Sequence, residues 1–163
     1  MITQHSIQEI YSILDQVCDP EIPVLTILDL GIVRDVIKNE NETEVVITPT
    51  YSGCPAMSTI EAEIRSAMED AGIWPVKVTT VLSPAWTTEW MTASGRAKLL
   101  EYGIAPPAEN ARMDAMLGMD SPKACPNCGS SHTEIISQFG STACKALYKC
   151  LDCQEPFDYF KCH

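Results

Sequence analysis

The sequence predicts an α+β protein, a small helix–strand–strand–helix–strand domain followed by a C-terminal four-cysteine zinc ribbon. Three observations carry that expectation. Apolar residues recur at helical spacing from Ile7 to Cys18 and from Met57 to Ala71, while residues 31–38, 43–50 and 76–82 are rich in β-branched side chains. Two Cys-x-x-Cys pairs, Cys125/Cys128 and Cys150/Cys153, stand 21 residues apart. Between these regions, residues 104–122 contain Pro106-Pro107 and no sustained period. The predicted division is a first domain over 1–103, a linker over 104–122 with room for one loose helical turn, and a ribbon over 123–163.

The first helix is expected over 6–18. Ser6 and Glu9 form a capping box, and Ile7, Ile10, Leu14, Val17 and Cys18 follow one face. Asp19-Pro20 should end it, because a residue before proline is pushed out of the α region. "GIVRDVIK" and "TEVVITPT" read as strands joined through Asn39-Glu40-Asn41-Glu42, a hairpin. A second helix follows Gly53-Cys54-Pro55, with Met57, Ile60, Ile64, Ala67, Met68 and Ala71 on one face, and stops at Gly72. "VKVTTVL" gives a third strand, and the intervening helix allows a parallel crossover. Residues 83–103 are expected to be mostly helical, with Trp86 and Trp90 on one face, as core or as a contact stripe.

The stretch "TPTYSGCPAM" at 48–57 singles out Cys54. Proline suits the first position of a helix, which would leave Cys54 at the helix mouth among unpaired N–H donors and the positive end of the dipole. A thiol there tends to ionise, and thiolates attack electrophiles or bind metals. The other reading is a small apolar residue tucked under a turn.

In the ribbon, each Cys-x-x-Cys pair can form a tight turn that aims two sulfurs at one ion, with Gly129 relieving strain after the first. Four thiolates close a tetrahedral zinc site and leave no position for substrate. Its role would be structural, since about 40 residues make too small a core to fold without help. Rubredoxin-type iron uses similar ligands. Cys144, Cys162 and His163 read as a partly buried thiol and a solvated end, or as a second soft-metal site. "PFDYFKCH" should pack back on the ribbon.

Composition narrows the function. The 163 residues are 45% hydrophobic and 20% charged, enough for a real core. Residues 1–122 hold 7 Lys/Arg against 18 Asp/Glu, net −11, whereas 123–163 hold 4 of each. Such acidity argues against nonspecific nucleic-acid binding and fits basic protein partners. No apolar run approaches a membrane span and the opening residues lack a signal-peptide pattern, so a cytoplasmic protein is expected. Phosphate loops, nucleophile elbows and HExxH helices are absent, and no histidine lies near Cys54 in sequence.

"DPEIPVLTILDLGIVRDV" at 19–36, followed by "YSGCPAM" at 51–57, resembles the small domain of iron–sulfur assembly factors such as SufT. The full layout, with "SPAWTTEW", "YGIAPP", both knuckles, "FGSTACKALYKC" and "PFDYFKCH", resembles the PaaD family. That resemblance implies an accessory protein of the phenylacetyl-CoA ring epoxidase in aerobic phenylacetate breakdown, not itself catalytic. Its partners would be the epoxidase components, the flavin and 2Fe–2S reductase above all, and the iron–sulfur assembly machinery. It also implies that Cys54 handles iron, a transient Fe–S cluster or a partner's cysteine, within an acidic signature of Asp19, Glu21 and Asp29. Those three carboxylates equally suit turn formation and capping. One cysteine cannot hold a cluster that takes four ligands, so a homodimer, a small thiol or a client must supply the rest. Two other roles stay open: a structural or regulatory oxygenase subunit binding through the ribbon, and a thiol oxidoreductase pairing Cys54 with Cys18 or a knuckle.

Overall fold

The structure is a computed structural model that describes residues 5–108, 111–119 and 121–161. The chain divides into two compact units between Trp86 and Thr87. The first unit runs α1 (Ile7–Leu14), β1 (Val33–Lys38), β2 (Thr43–Ile47), α2 (Ala56–Asp70) and β3 (Val76–Thr80), the predicted order.

The capping box forms as expected: Glu9 N donates to Ser6 Oγ at 3.2 Å, and Ser6 N donates to Glu9 Oε2 at 2.6 Å. Helix α1 is shorter than its apolar periodicity, ending at Leu14 with Asp15 as cap. Gln16 N and Val17 N donate to the Ile13 and Leu14 carbonyls, tightening the last turn. Cys18 then bridges Thr26, and Ile27 N donates to Val17 O. Val17 is therefore buried by a returning segment and not by helix.

Strands β1 and β2 pair antiparallel, with Val36 opposite Val45, and Asn39 N closes the turn on Glu42 O at 2.9 Å. Strand β3 lies parallel to β2 in the order β1-β2-β3, as the α2 crossover predicts. Thr43, Val45 and Ile47 face inward from β2, and α2 buries Ala56, Ile60, Ile64 and Met68 at four-residue spacing. Trp86 seals this unit, donating from Nε1 to Leu30 O at 2.7 Å.

The second unit contains a 3-10 turn (Thr88–Trp90), α3 (Ala93–Glu101), β4 (Ile104–Ala105), α4 (Ala111–Leu117), β5 (Thr133–Ser137), β6 (Lys145–Cys150) and β7 (Pro156–Phe160). Its sheet has the order β4-β7-β6-β5, antiparallel except for β4 beside β7. The expected long helix over 83–103 is shortened to α3, and Trp86 and Trp90 share no helix. The threonines explain this, because Thr87 and Thr92 accept from the backbone of Glu89 and Gly95 and start separate turns.

The observed division at 86/87 differs from the expected one at 103/104. Ile104 and Ala105 pair with Asp158 and Tyr159, binding this stretch to the ribbon, and Arg96 Nη1 donates to Pro107 O at 2.7 Å, tying it to α3. Part of the expected linker is thus sheet and helix.

Candidate functional site

The two knuckles bring four sulfurs together. Cys125 Sγ lies 3.7 Å from Cys153 Sγ, Cys128 Sγ lies 3.5 Å from Cys150 Sγ, and all four lie within 4.8 Å of one another. A tetrahedron with metal–sulfur bonds of about 2.3 Å has edges of about 3.8 Å, so the spacing fits zinc. Among the described residues this is the only cluster of three or more His, Cys, Asp or Glu side chains able to share an ion. The chain binds zinc through its ribbon, and four thiolates around one ion would leave no position open to substrate.

Local chemistry shapes each knuckle. Gly129 adopts φ +77°, which lets its N–H donate to Cys125 O at 2.8 Å. In the second knuckle Cys153 N donates to Cys150 Sγ at 3.5 Å. Asp152 ties the two together, accepting from Ser130 Oγ and sitting 3.2 Å from His132 Nδ1. These two partners hold the Asp152 carboxyl below its ordinary range. Backbone donation from Cys153 brings the Cys150 thiol down to about 7. The Glu155 N–H also lowers Cys153, but burial and the surrounding sulfurs outweigh it and push that thiol up to about 12. Four crowded sulfurs resist ionising together, and a divalent cation is what makes four thiolates tolerable.

Cys54 occupies the predicted helix mouth. Gly53 turns the chain with φ +79°, and Pro55 already has helical dihedrals (φ −68°, ψ −20°) one residue before α2. Cys54 N donates to Tyr51 O, its carbonyl accepts from Met57 N, both at 3.3 Å, and its side chain is half-buried. No side chain caps α2, and its first turn carries no acid. Cys54 thus sits two residues before the first residue of α2, next to a helix start that carries no carboxylate in its first turn.

The acidic signature is largely engaged with backbone. Asp19 Oδ1 accepts from Glu21 N at 2.7 Å and Ile22 N at 3.0 Å, and Asp19 is buried. Asp29 is buried too: its Oδ2 accepts from Thr26 N at 3.2 Å while its own N–H donates to Thr26 Oγ1 at 3.1 Å. Glu21 is half-buried, and its N–H is the group that Asp19 holds. Sequence reasoning missed Thr26 and Asp15, joined by Thr26 Oγ1 donating to Asp15 Oδ1 at 2.9 Å. The signal was present, since Thr26 and Asp29 have the spacing of a reciprocal cap. Cys144 is buried with Thr142 Oγ1 at 3.0 Å, while Cys162 and His163 of the suggested second site lie outside the described residues. Among the described residues, no helix is long and apolar enough to cross a membrane.

Comparison with known proteins fits this geometry. Residues 110–161 match the PaaD zinc beta ribbon domain, and residues 7–83 match the family described as iron–sulfur cluster assembly protein. An Escherichia coli K12 protein, named as a "putative 1,2-phenylacetyl-CoA epoxidase" component, is 52% identical over 161 residues, 99% of this chain and 96% of that one. The Bacillus subtilis Fe-S protein maturation auxiliary factor YitW is 34% identical over 94 residues, 56% of this chain and 91% of that one. A crystal structure of the Bacillus anthracis domain of unknown function DUF59 aligns with a TM-score of 0.53 at 28% identity, covering 56% of this chain and 89% of that one. The chain belongs to the PaaD family, with an iron–sulfur assembly domain at 7–83 and the PaaD zinc ribbon at 110–161.

Proposed function

We propose that this chain is a cytoplasmic accessory protein of the phenylacetyl-CoA ring epoxidase, acting in maturation or insertion of the iron–sulfur cluster of the reductase component. The observation that carries the reading is the union of two modules in one chain. Its whole length matches a protein named for the epoxidase, and its first unit matches maturation factors.

In this reading Cys54 is the working thiol and the cluster is its cargo. Transfer is a ligand exchange without redox change. One iron–sulfur bond to Cys54 breaks as one to a client cysteine forms, and the client thiol's proton ends on Cys54 or solvent. Asp19 and Asp29 serve by fixing the 19–29 loop, and Glu21 belongs to the same turn. The zinc ribbon has no open coordination position, so its part is docking to the epoxidase components. The remaining cluster ligands come from a second copy, a small thiol or the client.

The test is the cluster content and activity of the reductase, produced beside this chain or beside its Cys54→Ser form. A cluster-poor reductase beside a folded, zinc-loaded variant is the expected result. Equal cluster content would remove Cys54 from the mechanism and favour the second reading, a structural or regulatory subunit of the oxygenase that binds through its ribbon. The ribbon's exposed Ile136 and Phe139, 54% and 62% accessible, supply apolar contact surface for that role.

A further inference from the structure

The second unit contains a cavity of about 320 Å³ that the zinc site and Cys54 do not explain. Two ammonium side chains line it, Lys123 from the segment before the first knuckle and Lys161 from the end of β7. Tyr148 and Tyr159 also line it, ring centroids 5.7 Å apart in an edge-to-face pair, with Met119 and Ala146.

Lys123 is the unusual member. It is only 8% exposed, yet its Nζ has no carboxylate or hydrogen-bond acceptor among the described residues. Its partner is the face of Tyr159, 4.9 Å from the centroid. Its backbone is fixed as well, the carbonyl accepting from Thr133 Oγ1 at 2.7 Å. A buried cation normally has a counter-charge. Asp114, which also lines the cavity, accepts from Ser121 Oγ at 2.7 Å and pairs with neither lysine. Lys161 also lines the cavity; its Nζ donates to Gln138 O and lies 4.3 Å from the Phe139 centroid, and it pairs with no carboxylate among the described residues. Burial lowers its pKa below the ordinary amine value, with the nearby Cys144 opposing that shift.

Two ammonium groups that pair with no carboxylate among the described residues, against the single Asp114 carboxylate, leave this partly apolar cavity a net positive lining, although the chain as a whole is at −11. We propose that this cavity is a binding site for an oxyanion-ended ligand, a carboxylate or phosphate carried on an apolar or aromatic body. The oxyanion would sit between Lys123 and Lys161, and the body would lie along Tyr148, Tyr159 and Met119. The volume is at the lower end of small-molecule pockets and exceeds what a bare ion fills.

The test uses the full, zinc-loaded chain and follows backbone amide and tyrosine ring NMR signals during titration with benzoate, benzamide and inorganic phosphate. Saturable shifts confined to Lys123, Tyr148, Tyr159 and Lys161 are expected with an anion and not with neutral benzamide. Benzoate binding tighter than phosphate identifies a carboxylate on an aromatic body, and the reverse order identifies a phosphate source; both support the site. Lys123→Met should weaken binding at least about tenfold at unchanged zinc content, the loss expected of one charge-assisted contact. Should that variant lose zinc, Lys161→Gln, altering a more exposed side chain, must show the same weakening. The proposal is overturned if neither anion gives saturable shifts. It is also overturned if a zinc-loaded lysine variant binds as the parent does, since lysines that merely cover aromatic surface would behave that way.

Discussion

Replacing Cys150 with serine should unfold the ribbon and leave the first unit standing. Cys150 is fully buried at the end of β6, and its sulfur is one of the four in the site. Zinc supplies on the order of 10–16 kcal/mol to small zinc-folded peptides at neutral pH, or about 2.5–4 kcal/mol for each of four thiolates. The ribbon's own apolar cluster has seven buried members, of which two are alanines and two are cysteines. A core of that size leaves a net stability of about 3–5 kcal/mol, so losing one ligand removes nearly the whole margin.

Hydrogen exchange read by mass spectrometry, beside a zinc assay, measures this directly. Amides of β5, β6 and β7 should lose protection and zinc should fall below one per chain, while β1, β2 and β3 exchange as before. Cys144→Ser is the internal control. Cys144 is also buried, but it lies outside the four-sulfur group and has Thr142 Oγ1 at 3.0 Å, a contact that a serine hydroxyl can keep. It should retain zinc and cost about 1 kcal/mol. Full zinc and intact β6–β7 protection in Cys150→Ser would refute the reasoning, and so would equal damage from the control.

Two predictions concern the first unit. Trp86→Phe keeps a ring in place but leaves Leu30 O without the indole N–H, so the first unit should lose about 1–3 kcal/mol, read as a lower urea midpoint at unchanged slope. Glu9 is held below its ordinary 4.5 chiefly by the Ser6 N–H. A carboxylate with a depressed folded pKa stabilises above 4.5, and that contribution is lost as pH falls through the folded value. Protection of α1 amides should therefore fall over that acid window in the parent, and a Glu9→Gln variant should lack this step.

Local rules that depend on neighbours in sequence were legible. Ser6/Glu9 capping, the 39–42 hairpin, the β2-α2-β3 crossover and both knuckles all rest on signals a few residues wide. Interactions set by distant partners were not. Two-residue β4 has no period to detect, and its pairing with Asp158 and Tyr159 exists only because β7 offers an edge. Helix α1 looked longer because Val17 and Cys18 continue its apolar face, yet the Cys18–Thr26 bridge claims them. The tryptophans looked helical by spacing, while Leu30, 56 residues away, decides where Trp86 points. The lysine-lined cavity follows the same logic, since Lys123 and Lys161, 38 positions apart, come to line one cavity only in the folded sheet.

The distribution of thiols constrains how the proposed cluster handling can work. Of the cysteines in the described residues, four are committed to zinc and Cys144 is buried, which leaves Cys18 and Cys54 half-buried. Cys18 Sγ contacts Gln16 O at 3.9 Å, and among the described residues neither it nor Cys54 has a sulfur neighbour within bonding reach. An intramolecular dithiol would need the chain to move, which weakens the oxidoreductase reading. A four-ligand cluster on Cys54 would need three ligands from elsewhere, and two chains joined at Cys54 would still lack two. A cluster held that weakly is suited to being passed on, because each borrowed ligand is a position where a client cysteine can enter. On the proposed reading, the shortage of cysteines near Cys54 is thus what makes release to the client possible.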